Sequence, residues 1–383
     1  MEKKRILLLG STGSIGRQTL DVISRNPDLF DVVGLAAGRN VDALGEQARA
    51  TRCECLGIGF APAAGALHEA APEAEVFAGA EGLVDMVEAC RPDLVVGAIS
   101  GFSGLLSILA ALEAGINVAL ANKEPLVAAG ELVTTTAEAS GAEIIPIDSE
   151  LSAIFQCLKG ESRADISRIM LTASGGPFAQ VSAAELETVT PEQALAHPTW
   201  RMGRKVTIDS ATLANKGFEI FEMRWLFDVS FAEVQVVVHH QSIIHSLVEF
   251  CDKSILAQVG RPDMRVAIQY ALTHPQRSPS SIEALDIVAS CPLTFAEPDV
   301  EKFPCLRLAR EAGEAGSGYP VVLTGADEAA VELFLNGRIR FIDIPVSIEK
   351  ALDAHDGTTP KELDDIRSLN DWAYGYVTGL ADE

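Results

Sequence analysis

Apolar residues come in short runs over roughly the first 150 positions, each run closed by a turn and followed by a longer amphipathic stretch. The runs at Arg5–Leu9, Asp31–Ala36, Leu94–Ile99, Ile116–Leu120 and Glu143–Ile147 predict strands. Arg17–Ser24 and Leu105–Ala114 read as helices between them. This alternation predicts βαβ units, and so a parallel sheet with helices on both faces. From Asp148 to about Pro275 the predicted strands (Arg168–Thr172, Val234–Val238, Ser254–Val259) no longer alternate strictly with helices, which reads as α+β. Residues 276–299 are rich in Pro and Ser and read as a linker; residues 300–383 carry helical periodicity. The expected domains are therefore 1–147, 148–275 and 300–383.

At 383 residues, 48% apolar and 22% charged, the chain is globular and long enough for two or three domains. Acids outnumber bases 54 to 30, a formal net charge of −24. A chain this acidic lacks the broad basic face that nucleic acid or an anionic membrane needs. An anionic ligand would have to be held by a local cluster of donors. Residues 94–112 contain no charge and meet the length of a membrane span, but Ser100–Gly104 reads as a loop parting a strand from a helix. The first apolar run is also too short for a signal peptide. Seven scattered cysteines, an odd number, are expected as buried reduced thiols in a cytoplasmic protein.

Gly10-Ser-Thr-Gly13-Ser-Ile-Gly16 directly follows the first strand and opens a helix. Such glycines let the backbone turn tightly and approach a pyrophosphate at the helix N-terminus, although a turn used only for packing would look similar. The second strand ends in Ala36-Ala37-Gly38-Arg39-Asn40, with no carboxylate for a ribose 2′-hydroxyl. Arg39 can pair with a 2′-phosphate instead, which favours NADP over NAD; an ordinary surface arginine is the other reading.

Asp148-Ser149-Glu150 follows the last strand of the first domain. On extended chain, residues i and i+2 point to one side, and two carboxylates there repel unless a cation lies between them. A hard divalent ion suits such oxygens; two solvated loop acids would also account for them. Farther on, Ser210 resembles a helix N-cap. Asn215, Lys216 and Glu219 are spaced to share one helix face, as a polar site or a surface ion pair. Between His197 and Gly217 four bases (Arg201, Arg204, Lys205, Lys216) meet one acid, Asp209, so this stretch is locally basic. Ser174-Gly175-Gly176-Pro177 could offer a hydroxyl and backbone N–H groups to a phosphate. His197–Gly203, with Trp200 and Met202, has the make-up of a mobile covering loop. Taken singly, a core histidine or a packing tryptophan is the default for each.

Together these motifs, with Asn122-Lys123-Glu124, Pro146–Glu150, Ser174–Phe178, Met202–Lys205, Asp209–Thr212, His245-Ser246, Leu256–Gln258, Pro262–Met264 and Ile339–Phe341, closely resemble the 1-deoxy-D-xylulose 5-phosphate reductoisomerase family. The resemblance runs in order through most of the chain. It implies a Rossmann-like N-terminal domain, an α+β catalytic domain and a small helical C-terminal domain. It also implies rearrangement of a sugar phosphate and reduction by NADPH, in a homodimer. It assigns Asp148, Glu150 and Glu219 to a divalent metal (Mg²⁺, Mn²⁺ or Co²⁺). Lys123, Glu150 and Lys216 are assigned to the chemistry. Ser149, Ser174, His197, Trp200, Ser210, Asn215, Lys216 and Glu219 are assigned to substrate. Thr12, Gly13, Ser14, Ile15, Gly38, Arg39, Asn40, Asn122, Glu124 and Gly203 are assigned to NADPH. The chain departs from the family at Leu151, where a histidine is common, at Pro125 for serine, at His240 for proline, and around Asp327, in a segment usually rich in asparagine. Leu151 leaves open a weakened or non-catalytic NADPH-binding paralogue. A different NADP oxidoreductase, working through a cysteine thioester, would need an activated thiol.

Overall fold

The structure, a computed structural model, describes residues 2–381. It comprises two compact units. The first holds residues up to Pro125, Glu131–Ser152 and Asp263–Glu283; the second holds Leu126–Gly130, Ala153–Pro262 and the chain from Ala284 onward.

The first unit contains a seven-stranded, fully parallel sheet. Strands and helices alternate as β1 (Lys4–Leu9), α1 (Ser14–Arg25), β2 (Phe30–Ala37), α2 (Val41–Thr51), β3 (Cys55–Ile58), α3 (Ala64–Ala70), β4 (Glu75–Ala78) and α4 (Gly79–Cys90). They continue as β5 (Leu94–Gly97), α5 (Leu105–Glu113), β6 (Asn117–Leu120), α6 (Glu124–Ser140) and β7 (Ile144–Pro146). The spatial order is β4-β3-β2-β1-β5-β6-β7. Ile6–Leu9, Val95 and Val96 are fully buried, as a sheet covered on both faces requires. The order reverses between β1 and β5, which are neighbours, and a crevice at the carboxyl ends of the strands is expected at such a switch point. Gly10 leaves β1 there with φ +90°. The five strands expected from hydrophobic runs are present. β3 (Cys55–Ile58) and β4 (Glu75–Ala78) are not among the expected strands.

Helix α7 (Ser149–Cys157) follows β7. The second unit then builds a mixed sheet from β8 (Ile166–Ala173), β9 (Val234–Val238), β10 (Ile244–Phe250) and β11 (Ile255–Val259), in the order β11-β10-β8-β9. β8 and β9 are parallel and the other pairs antiparallel. Helices α8 (Ala183–Leu186), α9 (Pro191–Ala194), α10 (Arg204–Thr212) and α11 (Ala214–Phe227) lie between β8 and β9. β10 escaped the sequence reading because His245 and Glu249 interrupt its apolar pattern; both are buried. Helix α12 (Met264–Thr273) returns to the first unit. There Arg265 pairs with Asp21 of α1 at 3.0 Å and Lys4 donates to the Leu272 carbonyl at 2.8 Å. Helices α13 (Cys305–Ala315), α14 (Tyr319–Leu335), α15 (Asp343–Ala354) and α16 (Leu363–Leu380) complete the chain.

Three cysteines are buried (Cys53, Cys90, Cys305), while Cys251 and Cys291 are exposed, so the expectation of buried thiols holds only in part; all seven are free. Burial pushes Cys53 and Cys157 up to about 11 and raises Cys90 and Cys305 too, the reverse of an activated nucleophile. The uncharged window at 94–112 splits into β5, a loop and α5. No helix among the described residues is long and apolar enough to cross a membrane.

Two predictions follow from this packing. A methyl group on Gly10 would stand 2.3 Å from the Ala98 carbonyl oxygen, at a φ that L side chains avoid. Gly10→Ala is expected to cost roughly 2–4 kcal/mol, read by urea unfolding; wild-type stability would show that the turn relaxes freely. His245 is buried, and desolvation pushes its pKa down to about 4. The unfolded chain takes up this proton near pH 6.5 and the folded chain only near 4. The associated stability is therefore present above pH 6.5 and lost as pH falls through that window, up to about 3 kcal/mol. His245→Asn is expected to flatten the decline between pH 6.5 and 4, and an unchanged slope would contradict the assignment.

Candidate active site

The residues assigned to cofactor in the first unit lie at the carboxyl ends of its strands. After β1, the Gly13 N–H bonds back to the Gly10 carbonyl at 3.1 Å, and Gly13 is the N-cap residue of α1. As a glycine it brings no capping side chain. A Cβ on Gly16 would fall 2.3 Å from the Gly10 oxygen, so the third glycine is there for packing. The Arg17 guanidinium bonds the Thr12 carbonyl at 3.0 Å, and Gln18 bonds the Ser14 carbonyl at 3.3 Å. After β2, Gly38 has open space where a Cβ would stand. Arg39 is exposed, with its guanidinium 4.3 Å from the centre of the Phe60 ring. Asn40 caps α2 by accepting the Ala43 N–H at 3.1 Å, so its side chain has a structural duty as well. After β6, Asn122 is buried and donates to the Gly101 carbonyl at 2.8 Å, while its Oδ1 has no partner. Glu124 opens α6 and is buried. Pro125 fits in the first turn of α6, where no intrahelical N–H bond is lost.

The carboxylates of Asp148 and Glu150 come together as expected, with ligand atoms within 4.8 Å of each other, but at the start of a helix rather than along a strand. The Asp148 Oδ1 accepts the N–H groups of Glu150 at 3.1 Å and Leu151 at 3.3 Å, capping α7. Glu150 lies in the first turn and accepts the Ser149 hydroxyl at 2.7 Å. The other Asp148 oxygen is ion-paired with the buried Lys123 ammonium. Leu151 is fully buried.

In the second unit, the loop after β8 carries Gly175 (φ +83°) and Gly176 (φ +67°). Gly176 packs on the end of α10, where a Cβ would meet the Ser210 carbonyl at 2.7 Å. Ser210 is therefore inside α10 rather than an N-cap. A left-handed Leu213 (φ 62°) then starts α11 at once, so Ser210 lies only a few residues before Asn215 and Lys216. The expected helix face is present. Glu219 accepts Asn215 Nδ2 at 2.5 Å and Lys216 Nζ at 2.7 Å, with all three buried. The Asn215 Oδ1 is a buried acceptor without a partner.

His197 is held by its surroundings in one tautomer. Its Nδ1 accepts the N–H groups of Thr199 at 3.1 Å and Trp200 at 3.0 Å. That leaves Nε2 to carry the proton and donate to Ser174 Oγ at 3.1 Å. Ser174 Oγ also accepts the Gly176 N–H at 3.2 Å, so its own proton is left to give away. Burial, with the Lys216 charge nearby, pushes the imidazole down to about 4, so it is neutral at pH 7. Trp200 lies 6.1 Å from the His245 ring, and Gly203 is the N-cap residue of α10.

The local positive balance read from the sequence is not a free positive cluster. Lys205 bonds Asp209 at 2.7 Å and Asp327 at 2.6 Å, and Lys216 is paired with Glu219. The partnership with Asp327 could not be read beforehand, because the two residues lie 122 positions apart. It gives the departure at Asp327 a structural role.

Models of the reductoisomerase family match the chain at residues 6–130, 144–227 (C-terminal domain) and 259–376 (C-terminal domain). A 1-deoxy-D-xylulose 5-phosphate reductoisomerase from Heliobacterium modesticaldum is 50% identical over 381 residues, covering 98% of this chain and 97% of the relative. One from Prosthecochloris aestuarii is 48% identical over 372 residues, with 97% of each covered. Among solved structures, the Zymomonas mobilis enzyme in complex with NADPH superposes with a TM-score of 0.92 at 41% identity over the whole of both chains. A reductoisomerase in complex with NADPH, fosmidomycin and magnesium gives 0.94 at 37% identity, covering 99% of this chain and 98% of that one. The chain belongs to the 1-deoxy-D-xylulose 5-phosphate reductoisomerase family.

Proposed function

We propose that this chain performs its family's reaction. 1-Deoxy-D-xylulose 5-phosphate is rearranged to an aldehyde, which NADPH reduces to 2-C-methyl-D-erythritol 4-phosphate, a step of non-mevalonate isoprenoid synthesis. The observation that carries this reading is near-full-length identity of about half with reductoisomerases. The residues assigned to the chemistry (Lys123, Glu150, Lys216) and to the metal (Asp148, Glu150, Glu219) are all present.

NADPH fits the first unit. The start of α1 at the sheet's switch point offers N–H groups and a positive dipole end to the pyrophosphate. Thr12, Gly13, Ser14 and Ile15 line that turn. Gly38, Arg39 and Asn40 take the adenosine side, with Arg39 on the 2′-phosphate. Asn122, whose bare Oδ1 needs a donor, and Glu124 complete the set in this unit. A divalent ion (Mg²⁺, Mn²⁺ or Co²⁺) fits Asp148, Glu150 and Glu219, which are hard oxygen donors, and when bound it supplies Lewis-acid polarisation of a substrate carbonyl.

Lys123 and Lys216 donate to substrate oxygens and stabilise negative charge as it develops there. Glu150 and Ser149 orient the substrate's hydroxyl end, and Asn215 Oδ1 accepts one of its hydroxyl protons. Ser174 gives its free proton to the phosphate, with Ser210, Asn215 and the neutral His197 around it. Trp200 and Met202 cover the bound molecules and exclude water. The weakened-paralogue reading rested on Leu151, which is fully buried, a packing position.

A second copy of the chain pairs at β11. This strand is the edge of its sheet, and Ile255, Leu256 and Val259 are exposed on it. The seven free thiols support a reducing, cytoplasmic location.

Mixing the protein with NADPH, Mn²⁺ and 1-deoxy-D-xylulose 5-phosphate is expected to bleach the nicotinamide absorbance only while metal is present; no metal-dependent oxidation would refute the function. Glu219→Gln is expected to bind NADPH normally by fluorescence titration and to lose roughly 100-fold or more in kcat. Normal turnover would remove Glu219 from the site.

A further inference from the structure

We propose that His240 is a positioning residue for the phosphate end of the substrate, tying together the two ends of the Ser174–Gln180 loop. This rests on the reading above that Ser174 binds phosphate. His240 Nδ1 lies 2.8 Å from the Ser174 carbonyl oxygen. A carbonyl can only accept, so Nδ1 carries the proton and donates. The neutral ring then has an acceptor at Nε2, and the Gln180 side-chain amide stands 3.4 Å from it. One imidazole therefore bonds the first and last residues of the loop.

That loop needs an external hold. Gly175 and Gly176 are both in the left-handed region, where the backbone is soft. The middle of the loop is fixed by Lys302, whose ammonium bonds the carbonyls of Phe178 at 2.8 Å and Ala179 at 3.2 Å. His240 closes the ends. Its ring lies against Gly175, where a Cβ would stand 3.0 Å from Cε1. The mount is firm. The preceding His239 continues the β8–β9 pairing through its N–H to the Ala173 carbonyl at 2.7 Å. The buried His239 ring bonds the Thr294 carbonyl at 2.8 Å and stacks on Phe295 at 4.8 Å. His240 thus sets the plane of the Ser174–Gly175 peptide, while His197 and the Gly176 N–H set the Ser174 hydroxyl. His240 acts on the ligand only through Ser174.

The test compares His240→Ala, His240→Asn, Gln180→Ala and Ser174→Ala by steady-state kinetics, competitive inhibition by inorganic phosphate, and thermal melting. His240→Ala is expected to raise both KM for the sugar phosphate and Ki for phosphate about five-fold. KM for NADPH, kcat and Tm should stay near wild type. His240→Asn keeps a donor at the Nδ1 position and should restore most of the loss. Gln180→Ala, at an exposed side chain, should move the same two constants about two-fold. If Ser174→Ala raises both constants while His240→Ala and Gln180→Ala change neither, His240 has no positioning role. If Ser174→Ala also changes neither, the phosphate reading of the loop fails and this inference with it. Equal losses in both KM values, kcat and Tm on His240→Ala, not rescued by asparagine, would mark a general structural role and overturn the proposal.

Discussion

Charge neutralisation inside each unit is the constraint on which the rest depends. The lysines assigned to chemistry are bound to carboxylates, Lys123 to Asp148 and Lys216 to Glu219. Lys205 serves two acids, Asp209 and Asp327. A buried ammonium or carboxylate without a partner costs several kcal/mol, and each of these lysines has a carboxylate partner. The Ser174–Gln180 loop, proposed above to hold phosphate, presents neutral donors: a serine hydroxyl, glycine N–H groups and an imidazole kept uncharged by burial and by Lys216. Neutral donors pre-aimed by their own hydrogen bonds bind an anion without leaving a buried positive charge when the site is open.

The cofactor half depends on a different constraint, the topology of a parallel sheet. Strand order reverses between β1 and β5, and the glycine turn leaves β1 at that place. Gly10 and Gly16 are required by close packing around the turn, and Gly38 by nothing around it, which leaves room for a ligand. Arg39 follows at the end of β2, where a carboxylate would select the other dinucleotide.

Much of this was legible in the residues, for identifiable reasons. Short apolar runs closed by turns disclosed five strands of the first sheet, and the i, i+3 and i, i+4 spacing disclosed the Asn215–Lys216–Glu219 face. What stayed hidden was set by tertiary contact. Asp148 was read on extended chain, yet it caps a helix, because an Asp before a run of helix formers satisfies N–H groups that a strand would have paired elsewhere. Ser210 was read as a cap, yet it ends a helix, since the left-handed Leu213 lets the next helix begin at once. The Lys205–Asp327 pair spans 122 positions and leaves no local signature.

The loop proposed to hold phosphate is uncharged at neutral pH, with the His197 proton on Nε2. Nitrogen-detected NMR of the ring in the full chain reads this state. A protonated Nε2 and a bare, hydrogen-bonded Nδ1 are expected at pH 7, with titration only near pH 4. An imidazolium at pH 7, or the opposite tautomer, would contradict it.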